Sequence, residues 1–446
     1  MKKREQFASQ FGIIMVAVGS AVGLGNIWRF SYILGVNGGG AFLLVYILCV
    51  VLIGLPVLIS ELTIGRASGQ SPVNAFMKLA PGSYWWLTGA VAVLAAIIIA
   101  CYYPTLAGWA LGYVVESITN QTELLQDPQG AFAAFSSGPK ALIYGAIALA
   151  ATVAILMRGV TAGIERWSKL LMPILALLML VLVVRSLTLP GAMEGVRFLF
   201  YPDFSKLTVS GFLDALGHSF YSLSLGMGIM ITYASYMKKD TNLPITTISI
   251  VTMDTGVALL AGLAIFPAVF ALGFDPAQGV GLAFITLPSA FAHMPFGSFF
   301  SAAFFLLVFI SALTSLLSIF QVPLAFLEDR FGFSKKKGLA LISVVTVAFG
   351  IPSVLSFGPL KNFKPFGMDY FTLMDTVANN ILLPTAALLG CLFIALRMGT
   401  RASKKEFLEG AKNQGHFLSK VYPFAIRFLA PIAILVILIR AFTALF

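Results

Sequence analysis

The chain has 446 residues, of which 59% are hydrophobic and only 11% are charged. Soluble domains carry about 25% charged residues, so this composition excludes a soluble globular protein and indicates a polytopic membrane protein. The formal net charge of +11 could suggest nucleic-acid binding, but the basic residues lie between apolar segments, which favours membrane topology instead.

Neither a disulfide framework, a metal site nor an enzyme centre is indicated by the sequence. Cys49, Cys101 and Cys391 all lie in apolar segments without metal-ligand spacing. There are three histidines in total, and no paired carboxylates mark a site for intramembrane catalysis. The basic N-terminus precedes an apolar run without a small-residue cleavage site, which predicts a retained first helix and no cleaved signal peptide.

Hydropathy predicts about eleven membrane spans, because a helix of roughly 20 apolar residues crosses a bilayer. They are expected near residues 11–34, 40–64, 85–116, 140–157, 164–188, 211–236, 245–272, 297–327, 338–356, 370–396 and 424–445. With the N-terminus in the cytoplasm, 21 of the 29 basic residues fall on the cytoplasmic side. This bias predicts a multi-pass protein of the cell membrane with its N-terminus inside and its C-terminus outside.

The first apolar segment contains Gly19, Gly23 and Gly25, together with Asn26 and Arg29. Each glycine weakens a helix interior by about 1 kcal/mol relative to alanine, and an arginine at membrane depth is costly. Non-helical backbone is tolerated at that depth only where protein or a water-filled cavity surrounds it. The segment therefore predicts a broken helix that faces a ligand. Close helix packing would explain Gly19 and Gly23, but not Asn26 beside Arg29.

The predicted sixth span is interrupted in the same way, by Gly226 and Gly228. Because it follows the first span by five, the pair indicates an inverted five-plus-five repeat with a binding site near the bilayer midplane. We therefore expect an all-α membrane protein with unwound first and sixth helices. Residues 1–188 and 189–396 would form the two repeats, and 397–446 a cytoplasmic loop and the eleventh span.

Polar residues in the seventh and eighth spans are candidates for an ion site. Ser311, Thr314 and Ser315 lie at i, i+3 and i+4, so they share one stripe of a helix and could hold a monovalent cation. The alternative is that these hydroxyls bond back to their own helix. Asp254 is a functional candidate because it is ionisable within a span, or else it bonds a broken-helix amide. For Glu61, tying down frayed backbone is the favoured interpretation.

The stretch from Gly19 to Phe30, followed by 37–42, resembles the signature of the neurotransmitter:sodium symporter family. Segments 231–236 and 325–329 resemble its sixth and eighth spans, and the resemblance runs from Arg4 to the end of the chain. It implies a LeuT-like fold, alternating access and the eleven-span form of the bacterial members.

The resemblance also implies two sodium ions. The residues matching the first sodium site are Ala21, Asn26, Ser222 and Asp254. Those matching the second are Gly19, Val22, Ser311, Thr314 and Ser315. Asp254 stands where many members have asparagine, near the anion position of chloride-dependent members, beside residues matching Tyr46, His218, Ser222 and Ala258. We infer a fixed or protonatable charge at Asp254 in place of chloride, with His218 as a neutral hydrogen-bonding neighbour.

The substrate class follows from Gly23, because amine-transporting members carry an aspartate at this position. With glycine there, the substrate should bring its own carboxylate, which implies an amino acid. The residues that the resemblance places around it are Ala21, Gly23, Leu24, Gly25, Ile99, Tyr103, Tyr221, Ser222, Ser224, Met227, Ser315 and Ile319. Met227 replaces a phenylalanine, and methionine adapts to varied shapes, which favours bulky hydrophobic or aromatic side chains.

Two gates are expected from the same resemblance. Arg29 and Asp375 would pair above the substrate, under the lid of Tyr221. On the cytoplasmic side Arg4 and Asp329 would pair near Tyr236. Each pair would form in one state and open in the other, as alternating access requires.

A hinge is expected in the fifth span, where nine residues separate Gly163 from Pro173. Unwinding between them would open a water path from the cytoplasm to the second sodium, whereas an ordinary proline kink is the alternative.

These expectations describe a sodium-coupled importer of a hydrophobic L-amino acid that does not need chloride. Its partners would be the amino acid, sodium and the lipid bilayer, without nucleic acid. The alternatives are a proton-coupled transporter and a receptor or channel on the same fold. The oligomeric state and the exact substrate stay open at this point.

Overall fold

The computed structural model describes residues 4–276, 281–411 and 416–443, and most of these residues are helical. Within them, nine continuous helices are long and apolar enough to cross a membrane. They are Gly40–Ser68, Trp86–Thr119, Pro139–Leu156, Val160–Leu187, Leu243–Ala271, Gly297–Phe331, Lys335–Leu355, Tyr370–Met398 and Lys420–Thr443. The expectation of an all-α membrane protein is confirmed.

The first span is interrupted, as predicted. It consists of Gln10–Ala21 and Gly25–Val36, which are bent by 52° relative to each other. Counted as one span, this pair raises the number of spans in the described part of the chain to ten. The break begins at Val22, whose φ of −72° and ψ of 86° lie outside the helical region. Its carbonyl therefore leaves the hydrogen-bonding ladder of the helix.

Two helices, Val209–Ser222 and Ile229–Ala234, occupy the place of the predicted sixth span. Between them Gly226 and Gly228 have φ values of +78° and +71°, which glycine adopts without a steric penalty. Ser224 has a φ of +54°, an uncommon conformation for a residue with a side chain. The interruption is present, whereas the count of eleven spans and the division into two repeats stay predictions.

Short helices connect the spans. They are Pro72–Leu79, Gln121–Gln126, Pro128–Ser137, Ala192–Phe200, Leu282–Phe291 and Thr400–Leu408. Two long helices, Trp86–Thr119 and Gly297–Phe331, form the centre of the molecule. In their most apolar stretches 72% and 89% of the residues are buried, whereas the figure for the peripheral helix Pro139–Leu156 is 33%. Both central helices pass beside the two interruptions, and both supply side chains to the site described next.

Candidate functional site

The two helix breaks meet at a small cavity. The residues that line it are Ser20, Ala21, Gly23, Gly25, Ile99, Tyr103, Tyr221, Ser224, Met227, Ile229, Ser315 and Ile319. None of these side chains carries a formal charge at neutral pH. A charged group in this cavity would therefore be met by main-chain groups, hydroxyls and any cation bound beside it.

Ten of the twelve residues expected around a substrate line this cavity. The other two lie just behind it. Leu24 donates its amide to the Tyr103 hydroxyl at 3.4 Å, and Ser222 belongs to a polar cluster around Asn26. Two lining residues were not predicted: Ser20, which sits inside the motif but had no assigned role, and Ile229, the first residue of the helix after the second break.

One half of the cavity is polar because the two breaks are tied together by hydroxyls. The Ser20 carbonyl accepts hydrogen bonds from Ser224 Oγ at 3.0 Å and from Ser315 Oγ at 3.4 Å. The bond from Ser224 also holds that residue in its left-handed conformation. These contacts join the first span, the sixth span and Gly297–Phe331 at one point.

The other half is apolar and is covered by an aromatic ring. Ile99, Met227, Ile229 and Ile319 supply aliphatic surface, and the Tyr221 ring also lines the cavity. A Cβ atom on Gly25 would lie 2.7 Å from Tyr221 Cε1, so a glycine there lets the ring approach the backbone. The lining of the cavity thus combines oxygen atoms with apolar side chains.

The side chains predicted for the first sodium lie together. Asn26 donates from Nδ2 to Asp254 Oδ1 at 2.7 Å and to Ser222 Oγ at 3.1 Å, while its Oδ1 accepts from the Gly23 amide at 3.2 Å. Ser222 donates to Asp254 Oδ2 at 2.7 Å, and the Tyr46 hydroxyl lies 3.0 Å from Ser222 Oγ. Ala21 lines the adjoining cavity. The cluster is buried and combines neutral oxygens with one carboxylate.

The residues predicted for the second sodium also lie side by side. A Cβ atom on Gly19 would be 3.4 Å from Thr314 Cβ, and the Val22 backbone has left the helix. Ser311 Oγ donates to the Val308 carbonyl at 2.8 Å and Thr314 Oγ1 to the Ser311 carbonyl at 3.0 Å. In this state both hydroxyls bond to their own helix, which was the alternative interpretation. Within the described ranges no group of three or more His, Cys, Asp or Glu could hold a metal.

Glu61 has the contact expected of it, whereas His218 does not. Glu61 Oε1 accepts from the Gly226 amide at 2.7 Å, which ties down the second break as expected. His218 is buried among the rings of Phe30 and Tyr46, at centroid distances of 5.8 and 5.4 Å. Its ring nitrogens have no hydrogen-bond partner in the described part of the chain, so the expected hydrogen bond is not formed. Ala258 is also buried.

We call the membrane side on which Arg4 lies the inner side. There Arg4 Nη1 donates to both carboxylate oxygens of Asp329, at 2.6 and 2.5 Å, and Nη2 donates to Ser235 Oγ at 2.8 Å. The guanidinium carbon lies 4.5 Å from the centre of the Tyr236 ring. Asp329 also accepts from the Ser71 amide at 2.7 Å. The residues of the predicted inner gate are therefore in contact.

The residues of the predicted outer gate do not form an ion pair in this structure. The guanidinium of Arg29 lies over the Tyr221 ring, with Cζ 4.7 Å from its centre. Asp375 instead accepts from the Tyr102 hydroxyl at 2.9 Å and from Asn379 Nδ2 at 2.5 Å. In this state the two groups make separate interactions, and their pairing in another state stays a prediction.

The proposed hinge is helical here. Val160–Leu187 is continuous, with Pro173 inside it and Gly163 in its first turns, which are π-helical. The N-terminal segment is bound to this region: Val160 donates its amide to Glu5 at 2.7 Å, and the Ala8 amide donates to Glu165 at 2.8 Å. Unwinding of the helix is not observed and stays a prediction.

The chain is similar to known proteins in both sequence and structure. A model of the "Sodium:neurotransmitter symporter family" matches residues 4–125 and 140–445. A sodium-dependent transporter of Bacillus subtilis, YhdH, is 41% identical over 98% of each chain. A bovine sodium- and chloride-dependent taurine transporter is 28% identical over 89% of this chain and 72% of its own. The crystal structure of MhsT in complex with L-phenylalanine aligns with a TM-score of 0.90 at 42% identity, over 98% of this chain and 100% of that one.

Proposed function

Because the chain belongs to the sodium:neurotransmitter symporter family, we propose that it imports a bulky hydrophobic or aromatic L-amino acid with sodium, by alternating access and without chloride. The observation that carries this proposal is the uncharged cavity where the two helix breaks meet, polar at one end and apolar at the other. The substrate would bring both of its charges, and two sodium ions would travel with it as cargo.

The substrate carboxylate would lie at the start of Gly25–Val36, close to the Tyr103 hydroxyl. Helix N-termini favour anions through free amides and the helix dipole. Its ammonium group would meet the carbonyls of Ala21, Tyr221 and Ser224. A side-chain carboxylate at position 23 is disfavoured by packing, because a Cβ atom on Gly23 would lie 2.7 Å from Ser315 Oγ. An amine without a carboxylate would therefore lack an ionic partner.

The apolar half supports the choice of side chain. Isoleucines, Met227 and the Tyr221 ring surround that end, so burying an aromatic or branched aliphatic group there removes apolar surface from water. The related MhsT was crystallised with L-phenylalanine. A polar side chain would leave its hydrogen-bonding groups unpaired against this wall, which costs free energy.

Asp254 supports chloride independence and also a second candidate function. Its carboxylate lies beside Tyr46 and Ser222, so it can supply the negative charge that chloride would otherwise bring. The same carboxylate is buried and could carry a proton, so coupling to protons instead of sodium is the second candidate. Chloride dependence of distant relatives such as the taurine transporter makes this position the one to test.

The proposal is tested with purified protein in liposomes. Radiolabelled L-phenylalanine should accumulate above its external concentration when a sodium gradient is imposed inward, equally in chloride and in gluconate. L-alanine should compete weakly because it leaves the apolar half unfilled. The variant Asn26→Ala, which loses a predicted sodium ligand, should accumulate less substrate at the same sodium concentration and is the comparison.

Each alternative gives a different result. Accumulation driven by a pH gradient in the absence of sodium would replace the sodium proposal with proton coupling. Binding without accumulation under any gradient would indicate a receptor or channel on this fold. Loss of uptake in gluconate would contradict chloride independence.

A further inference from the structure

A second cavity, of about 230 Å³, lies away from the central site. It is enclosed by the end of Trp86–Thr119, the short helices Gln121–Gln126 and Pro128–Ser137, and the start of Pro139–Leu156. This is the side opposite Arg4. One wall is acidic and polar and the other is apolar, and the residues that matter below are Tyr113, Glu116, Glu123, Leu124, Phe135 and Lys140.

The acidic wall already holds an ammonium group. Lys140 Nζ lies 2.6 Å from Glu116 Oε1, and Asn120 donates to the other carboxylate oxygen. The Glu116 side chain is 11% exposed, whereas that of Lys140 is 56% exposed. The carboxylate is therefore a fixed, largely buried partner, while the ammonium sits on an exposed, flexible stem. Because Lys140 can move away into solvent, another cation can take its place beside the Glu116 carboxylate.

Tyr113 gives an independent sign of a ligand. The residue is 1% exposed, lines the cavity, and its hydroxyl has no hydrogen-bond partner among the residues that the structure describes. A buried hydroxyl left unpaired costs free energy that a ligand could recover. Glu123 adds a second carboxylate to the lining and makes no ion pair within 4 Å in the described ranges. The two carboxylates outnumber the single ammonium.

We propose that this cavity binds an organic amine, a ligand with a protonated amino group on an apolar body. Its ammonium would replace that of Lys140 at Glu116 and donate a further hydrogen bond to the Tyr113 hydroxyl oxygen. Its apolar body would lie against Leu124 and Phe135, which are buried. An anion is repelled by the two carboxylates, and an inorganic cation leaves the apolar wall unused.

This site is separate from the proposed transport function, because none of its residues lines the central cavity. Tyr113 is nevertheless on the same helix as Tyr103, ten residues or about 15 Å along its axis.

Isothermal titration calorimetry on the purified protein tests the proposal, with 2-phenylethylamine as the probe and 2-phenylethanol as its uncharged counterpart. Glu116→Gln should weaken amine binding about tenfold or more, since a hydrogen bond to a charged group is lost. Tyr113→Phe, which keeps the ring, should weaken it several-fold. Lys140→Gln should strengthen it, because the competing ammonium is gone. Asn26→Ala, in the central site, should leave it unchanged.

Three results would overturn the proposal. Equal binding of 2-phenylethanol would show that the cavity recognises only apolar bulk. Amine binding that disappears in Asn26→Ala but survives in Glu116→Gln would place the amine in the central site. Weaker binding in Lys140→Gln would mean that Lys140 is part of the site rather than its competitor. Failure of the transport proposal leaves all of these measurements unaffected.

Discussion

Asn26 Nδ2 lies 2.7 Å from Asp254 Oδ1, so a hydrogen bond joins the first helix break directly to Leu243–Ala271. The amide oxygen of the same side chain accepts from the Gly23 amide. A cation placed in this cluster would draw on that amide oxygen and on the carboxylate together. Asn26 therefore links the backbone of the broken helix to the carboxylate of Asp254. Cation binding should accordingly affect both the helix break and Leu243–Ala271.

Replacing one oxygen ligand in each predicted cation set should weaken sodium-dependent substrate binding. For Asn26→Ala we expect about a tenfold rise in the sodium concentration for half-maximal binding, because a buried hydrogen-bonded polar group is lost. Thr314→Ala should act in the same direction and less strongly. Scintillation proximity binding across a sodium series measures both. Thr188→Ala, which removes an exposed hydroxyl, is the matched control, and unchanged sodium dependence in both variants would refute the site assignments.

Asp254→Asn should make transport depend on chloride. The substitution keeps the shape of the side chain, but it removes the negative charge and replaces one acceptor oxygen with a donor NH2 beside Asn26, Ser222 and Tyr46. We expect uptake in gluconate to fall about tenfold and to recover when chloride is added. The unmodified protein should be indifferent to the anion. Equal loss in both salts would instead mean that the carboxylate itself, and not its charge alone, is required.

Tyr221 should act as a lid through its ring. In Tyr221→Ala the wall beside Gly25 and the surface under Arg29 are both lost, so bound substrate should dissociate about tenfold faster. Tyr221→Phe keeps the ring and its cation–π contact, which contributes about 0.5–2 kcal/mol, and should dissociate at nearly the original rate. Chase of labelled substrate with unlabelled substrate measures this. Equal dissociation rates in the two variants would contradict the lid.

Arg4→Ala should release the inner gate. The variant loses the ion pair with Asp329, the bond to Ser235 and the contact with Tyr236. If the population of the state that is closed on the inner side falls about tenfold, the apparent substrate affinity should fall by that same factor. Lys335→Ala breaks an ion pair with Glu5 on the same segment, outside the gate. The substrate affinity of Lys335→Ala should stay close to that of the unmodified protein. If it falls as much as in Arg4→Ala, the effect belongs to the N-terminal segment as a whole and not to the gate.

Pro173→Ala should slow uptake more than it weakens binding. Proline removes one helical hydrogen bond, and alanine restores it, so the helix would unwind less readily. Initial uptake rates in liposomes, compared with equilibrium binding, separate the two effects. Pro352 lies inside Lys335–Leu355, away from the proposed hinge, so Pro352→Ala is the control. Unchanged uptake in Pro173→Ala would refute the hinge.

Much of the fold could be predicted because hydropathy and glycine placement are local signals. The span expected near 245–272 is observed at Leu243–Ala271, and both interruptions lie where the glycines are. Most of the cavity lining followed from the family resemblance. Ser20 was missed because side-chain direction cannot be read from helical periodicity once a helix is about to unwind.

The outer gate could not be predicted from sequence for a different reason. Whether Arg29 meets Asp375 or the face of Tyr221 depends on small displacements between separate spans, and both arrangements suit the same residues. His218 illustrates the same limit, since its ring neighbours come from other parts of the chain. The residue types predicted which kinds of interaction Arg29, Asp375 and His218 can make. Which partners they contact depends on the conformation of the protein.

The short segment from Arg4 to Gln10 touches several helices at once. Arg4 reaches Asp329, Glu5 reaches Val160, Ala8 reaches Glu165, and Gln10 donates to Thr246 at 2.7 Å. Because these contacts all lie on one short segment, displacing the segment would break them together, so it works as a clasp. An antibody fragment that captures this peptide in its released form would hold the transporter open toward the inner side.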